Sequence, residues 1–209
     1  MYHHLSDISS GISVDAQKSQ LRHQARKTRS EIVAAASPGC LAAFNENLRL
    51  ALDEAPDWQV ISGYLAIGDE IDPLRVMDQQ RKAGKTCVLP VVVGKAQPLI
   101  FRIWEPGCQL ESGPLNTRHP QEDMPVADPD VLLVPLLTFA RDGYRLGWGG
   151  GFYDRTLAAY RDRGKSIVSI GVAYGGQERN QVPHDAYDQR LDFVVTEKGV
   201  IRIDRGMGA

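Results

Sequence analysis

Residues Val131 to Arg163 read VLLVPLLTFARDGYRLGWGGGFYDRTLAAYRDR. The run Val131-Leu132-Leu133-Val134 is continuously apolar, which suits a strand buried on both faces. Phe152 to Arg163 reads as a helix. Between them the cation Arg145 is followed by Gly147, Gly149, Gly150 and Gly151. Glycines let the main chain reach φ > 0 and bring its N–H groups close to a ligand, and a helix N-terminus adds unpaired donors and partial positive charge. These are the parts of a phosphate cradle. Neither common phosphate pattern matches. Gly84-Lys85-Thr86 and Gly164-Lys165-Ser166 supply only the tail of a Walker loop, because Gln79 and Ala159 stand where its first glycine belongs. Gly147 and Gly149 are followed by Phe152 at the position of the third glycine of a dinucleotide loop. A purely structural glycine turn is the competing reading.

Working outward, residues 1–14 read as a mobile leader and 15–209 as one domain. Helices are expected from Asp15 to about Ala36, from Cys40 to about Asp53 and from Pro73 to Ala83, with Pro38-Gly39 separating the first two. Strands are expected at Gln59–Tyr64, Thr86–Leu89, Leu99–Trp104, Ser166–Val172, Leu191–Val195 and Val200–Ile203. Alternating strands and helices imply an α/β fold, a single three-layer, Rossmann-like domain with a mainly parallel sheet flanked by helices. Ligands of such sheets bind at the carboxyl ends of the strands, where the glycine segment falls.

Composition narrows the function. Lys plus Arg total 24 against 26 Asp plus Glu in 209 residues, so no basic field invites nucleic acid or an anionic membrane. The longest apolar run is far short of a membrane span. Three cysteines without metal-ligand spacing suit reduced thiols, and the expected location is cytoplasmic. Lys18 and Arg22 are four apart and share a helix face, a clamp for an anion or else an ordinary solvated basic face. Asp154, in the first turn after the glycines, either complements the helix terminus or offers a hard oxygen ligand to Mg²⁺. Trp148 and Phe152 frame the glycines with flat apolar surface suited to an aromatic ligand ring or, for Phe152, to core packing.

The segment Pro135-Leu136-Leu137-Thr138-Phe139 followed by Gly143-x-Arg145-Leu146-Gly147-x-Gly149-x-Gly151-Phe152-Tyr153-Asp154 resembles the signature of the 5-formyltetrahydrofolate cyclo-ligase family, the methenyltetrahydrofolate synthetases. Lys18-x-x-Leu21-Arg22, Tyr64 to Asp72, and Pro183 to Asp192 with Val194-Val195-Thr196-Glu197 resemble other parts of that family, in order. The resemblance implies ATP- and Mg²⁺-dependent cyclisation of 5-formyltetrahydrofolate, a reduced formyl-folate, to 5,10-methenyltetrahydrofolate. It assigns Lys18 and Arg145 to catalysis through phosphate charge. Nucleotide contacts fall to Lys18, Arg22, Arg145, Gly147, Trp148, Gly149, Gly150, Gly151, Phe152 and Tyr153. Substrate contacts fall to Leu65, Glu70, Trp148 and Phe152, and Mg²⁺ to Asp154 and Asp192. Two segments depart from the family pattern. Phe139-Ala140 replaces a usual Phe-Asp, and Leu115 to Pro120 replaces a Gly-Ile-x-Glu-Pro segment. Ala140 motivates one alternative, a nucleotide- or folate-binding protein without turnover. Fold class alone supports another, a sugar-phosphate isomerase or transferase.

Overall fold

The computed structural model describes residues 12–204. The first helix, α1 (Val14–Ala34), is capped by Ser13, whose hydroxyl accepts from the Ala16 N–H at 3.3 Å, and carries Asp15 in its first turn. Helical structure therefore begins inside the expected leader, whose residues 1–11 lie outside the described residues. The chain continues through α2 (Cys40–Glu54), β1 (Val60–Ser62), α3 (Leu74–Lys82), β2 (Thr86–Val91), β3 (Ile100–Ile103), β4 (Leu110–Ser112), β5 (Arg118–Pro120), β6 (Val131–Pro135), β7 (Thr138–Phe139), β8 (Arg145–Leu146), α4 (Phe152–Asp162), β9 (Val168–Val172), β10 (Phe193–Thr196) and β11 (Gly199–Arg202).

Seven strands form the main sheet in the order β11-β10-β9-β6-β1-β2-β3. The neighbours from β10 to β2 run parallel, and β11 and β3 close the two edges antiparallel. In β6 the apolar run alternates between two layers, as the period of a strand requires. Val131 and Leu133 join a cluster with Phe44, Leu48 and Leu52 of α2 and Val76 and Met77 of α3. Leu132 and Val134 join Leu157 and Tyr160 of α4 on the opposite face. Burial on both faces is why the run carries no polar residue.

From β1 the chain crosses through α3 to β2 on one side, and from β6 it crosses through α4 to β9 on the other. The sheet order thus reverses between β1 and β6, and the crevice outside their carboxyl ends is where this architecture takes ligands. Two short hairpins were not expected from the sequence. One is β4–β5, which turns through Leu115 and Asn116 at φ of 60° and 59° and contains the segment that departs from the family pattern. The other is β7–β8, which pairs Thr138 with Leu146 and Phe139 with Arg145 and so lifts the glycine segment off the end of β6. Ala140, in its turn, is buried with Leu146 and Val182. An apolar side chain fits that place, whereas a carboxylate there would have to be desolvated. Among the described residues no helix is long and apolar enough to cross a membrane.

Candidate active site

The glycine segment starts α4 through Gly151, which takes the left-handed conformation at φ 64° and ψ 14°. Gly149 is also left-handed, at φ 104°, and a Cβ there would lie 3.1 Å from the Arg22 guanidinium carbon. Both positions need glycine on conformational grounds, and the close approach of Arg22 adds a second reason at Gly149. No atom lies within 4 Å of a Cβ built on Gly147, so that part of the loop is open. Arg22 Nε donates to the Gly147 carbonyl at 3.1 Å, so α1 does lie on the loop with a cation at the glycines.

The other two expected phosphate cations are occupied by carboxylates. Lys18 Nζ is bound by Asp185 at 2.6 Å and by Asp188 at 2.5 Å, with 8% of its side chain exposed. Burial pulls the Lys18 pKa down, but hydrogen bonds and charge from both aspartates outweigh it and leave the pKa raised. Asp185 is held below the usual carboxylate range by its hydrogen bond from Lys18, helped by the Tyr187 N–H. Arg145 Nη2 pairs with Asp154 Oδ1 at 2.9 Å, and its Nη1 donates to the Gln189 carbonyl. Asp154 Oδ1 also accepts from the Gln189 N–H at 3.0 Å. Asp185 to Gln189 therefore ties Lys18 to Arg145 and Asp154. The alternative of an ordinary solvated basic face does not hold for Lys18: it and Arg145 are buried members of an ionic network. Two cations, Lys18 and Arg145, meet three carboxylates, Asp154, Asp185 and Asp188, and Arg22 stands at the loop on the Gly147 carbonyl. The two aspartates that hold Lys18 were not singled out in the sequence; their signal was the spacing Asp-x-x-Asp just before the last parallel strand.

The two expected metal carboxylates do not come together. Asp192 precedes β10 and accepts from the Ser169 N–H at 2.8 Å and hydroxyl at 2.7 Å, next to the start of β9. That is the amino end of the parallel strands, opposite the crevice. Asp154 lies in the first turn of α4, whereas Arg161, seven residues or about 10 Å along that helix, is the residue that reaches the Arg190 carbonyl near Asp192. Among the described residues no group of three His, Cys, Asp or Glu side chains is placed to hold a metal ion. Asp154 alone stays at the loop.

On the β1 side, the Glu70 side chain is buried. Its Oε2 accepts from the Ile67 N–H at 2.9 Å, and its Oε1 accepts from the Trp148 indole N–H at 2.8 Å and lies 3.6 Å from Arg29 Nη1. Trp148 thus links the loop after β6 to the loop after β1, and 45% of it remains exposed. Leu65 packs at the edge of the α2–α3 core cluster and Phe152 against the α4 cluster, with the Arg155 guanidinium 5.1 Å from its ring centre. Phe152 is half-buried, packed against that cluster on one side and under Arg155 on the other. Burial pushes the Tyr64 and Tyr153 hydroxyls far above the ordinary phenol range, with the Glu70 charge adding to it, so both are neutral at working pH. Together these groups form a cationic glycine loop next to a buried carboxylate and a flat indole, the equipment to place an anionic ligand beside a nitrogen-rich ring.

Comparison with known proteins agrees with this picture. The model of the 5-formyltetrahydrofolate cyclo-ligase family matches residues 14–197. The 5-formyltetrahydrofolate cyclo-ligase of Escherichia coli (strain K12) is 33% identical over 145 residues, 67% of this chain and 79% of that protein. That of Haemophilus influenzae is 28% identical over 180 residues, 84% of this chain and 95% of its own length. The solution structure of Aquifex aeolicus 5,10-methenyltetrahydrofolate synthetase superposes with a TM-score of 0.68 at 28% identity, covering 92% of this chain and 95% of that one.

Proposed function

The chain belongs to the 5-formyltetrahydrofolate cyclo-ligase family, and from that premise we propose that it converts 5-formyltetrahydrofolate to 5,10-methenyltetrahydrofolate at the expense of ATP. The observation that carries the reading is the docking of α1 on the glycine loop, Arg22 on Gly147, at the crevice between β1 and β6. Bound ATP supplies the phosphoryl group that makes the formyl oxygen expellable, so that N10 closes the ring with release of ADP and phosphate. The protein's part is positioning and charge neutralisation rather than covalent attack. Main-chain N–H groups of residues 147–151 and the start of α4 face the phosphates, with Arg22 as the cation already at the loop. Lys18 and Arg145 add charge from their places in the network. Glu70, Leu65, Trp148 and Phe152 hold the folate ring on the β1 side.

The network supports a requirement for Mg²⁺. Its two cations, Lys18 and Arg145, already face three carboxylates, so a polyphosphate anion brought to it calls for positive charge beyond that of Arg22. Asp154 is the carboxylate in place to hold that ion; Mg²⁺ takes few protein ligands and completes its shell with water and phosphate oxygens. Cytoplasmic residence belongs to the same reading and is supported by unpaired Cys40, Cys87 and Cys108. The sugar-phosphate alternative has no such support. Absorbance of the methenyl product tests the proposal: product is expected from purified protein only with ATP and Mg²⁺ together. An equal rate without nucleotide overturns the ligase reading, and binding of both substrates without product favours a non-catalytic member.

A further inference from the structure

Arg29 is a charged residue of α1 that the scheme above leaves without a task. It lies eleven positions beyond Lys18, about three helical turns, and so shares the face that brings Lys18 and Arg22 to the site. Only 4% of it is exposed. Nη1 donates to the Leu136 carbonyl at 3.5 Å and lies 3.6 Å from Glu70 Oε1, and the guanidinium carbon is 5.5 Å from the centre of the Trp148 ring. Leu136 follows β6 and Glu70 follows β1, so the guanidinium lies across the crevice where the sheet order reverses. Its Nε–H has no partner, alone among the buried side-chain nitrogen and oxygen atoms of the described residues. A buried donor without an acceptor has given up water and gained nothing, and such a group calls for an explanation.

We propose that Arg29 is a substrate-docking residue, on the reading of the substrate as a reduced formyl-folate: its Nε–H donates to the ring carbonyl of the pterin, while Glu70 accepts from the ring N–H groups beside that carbonyl. The amide edge of a pterin sets an acceptor next to donors, and an arginine beside a carboxylate presents the complement. A carboxylate has about four acceptor sites, of which the Ile67 N–H and the Trp148 indole N–H use two, Arg29 at 3.6 Å pairing with it by charge. Two are left for the N–H groups of the ligand. Trp148, over the same guanidinium, supplies the flat surface on which the ring rests.

The test uses the full chain with Arg29→Lys and Arg29→Gln. Lysine keeps a positive charge beside Glu70 but removes the Nε–H fork, so it preserves the test if the glutamine variant does not fold. Melting temperatures are read with 5-formyltetrahydrofolate alone and with ATP alone, and KM is measured for each. Both variants are expected to lose the folate-induced rise in melting temperature and to raise the folate KM by about tenfold to a hundredfold, as loss of a charge-assisted hydrogen bond implies. The ATP-induced rise and the ATP KM are expected to stay within about twofold of wild type. Wild-type folate protection and folate KM in both variants overturn the role of Arg29 and leave the ligase reading standing. Equal losses toward ATP and folate reduce Arg29 to a structural support and also overturn it. Absence of folate protection and of turnover in the wild-type chain overturns the ligase reading, and the docking role falls with it.

Discussion

Asp154 Oδ1 receives both the Arg145 guanidinium and the Gln189 N–H, so a substitution there touches structure and charge together. Asparagine keeps an acceptor for both donors but weakens the contact to Arg145 from charge-assisted to neutral, a loss of about 1–2 kcal/mol. In a chain of this size that lowers the melting temperature by about 2–8 °C. If Asp154 also holds Mg²⁺, Asp154→Asn is expected to cut turnover by more than tenfold at the Mg²⁺ concentration that saturates wild type. Thermal unfolding and Mg²⁺-dependent turnover of the same variant separate the two effects. Normal turnover with only a lowered melting temperature removes Asp154 from the metal site. At this scale the sequence showed residue types better than partners. The spacing of Lys18 and Arg22 placed them on one face, but nothing local said that Asp185 and Asp188 would fold back to hold Lys18. Arg29 was indistinguishable from Arg26 and Lys27 until the described structure buried it.

Between residue and sheet, Asp130 fastens the entry of two neighbouring strands. Its Oδ2 accepts from the Gln59 N–H at 2.9 Å and the Val60 N–H at 3.0 Å, and Lys165 Nζ lies 3.4 Å from Oδ1. Burial raises its pKa, but the two N–H groups and Lys165 outweigh that and hold the carboxyl below the usual range. A folded pKa below the unfolded one means stability that is present above the unfolded value, about 3.9, and is lost as pH falls through the folded value. Asp130→Ala is therefore expected to cost about 1–2 kcal/mol at pH 7, allowing for solvent screening, and the gap from wild type should close below about pH 4. Urea unfolding of both proteins from pH 7 to pH 2.5 measures it; a gap that does not change with pH assigns the effect to something other than the carboxylate. Elements with a period of their own were legible: the buried run of β6, and α2 and α4 with their apolar faces. The hairpins were not. Strands of two or three residues such as β7 and β8 carry no period, and their pairing is set by the turn from Ala140 to Tyr144.

Across the whole molecule, fold class followed from the alternation of strands and helices, because a parallel sheet covered on both faces demands apolar strands and amphipathic crossovers. The reversal of strand order between β1 and β6 was not legible, since it depends on which side each crossover takes. That reversal gathers α1, the loop after β1 and the loop after β6, three distant parts of the chain, around one crevice. The layer formed by α2 packs against β10, β11 and α3 instead. Leu48, fully buried in that layer, tests whether core and crevice act separately. Leu48→Ala is expected to lower the unfolding free energy by about 2–5 kcal/mol, through lost transfer energy and the cavity left behind. ATP at a hundred times its Kd adds about 2.7 kcal/mol to a protein that binds it only when folded. If the sites are independent, the two effects add to within about 0.5 kcal/mol, so the ATP-induced gain in Leu48→Ala matches that of wild type. Unfolding of both proteins with and without ATP supplies the four free energies required. A gain that shrinks by more than that margin in the variant means that the α2 layer helps to hold the crevice in its binding form, and that the fold transmits strain from its far layer to the strand ends.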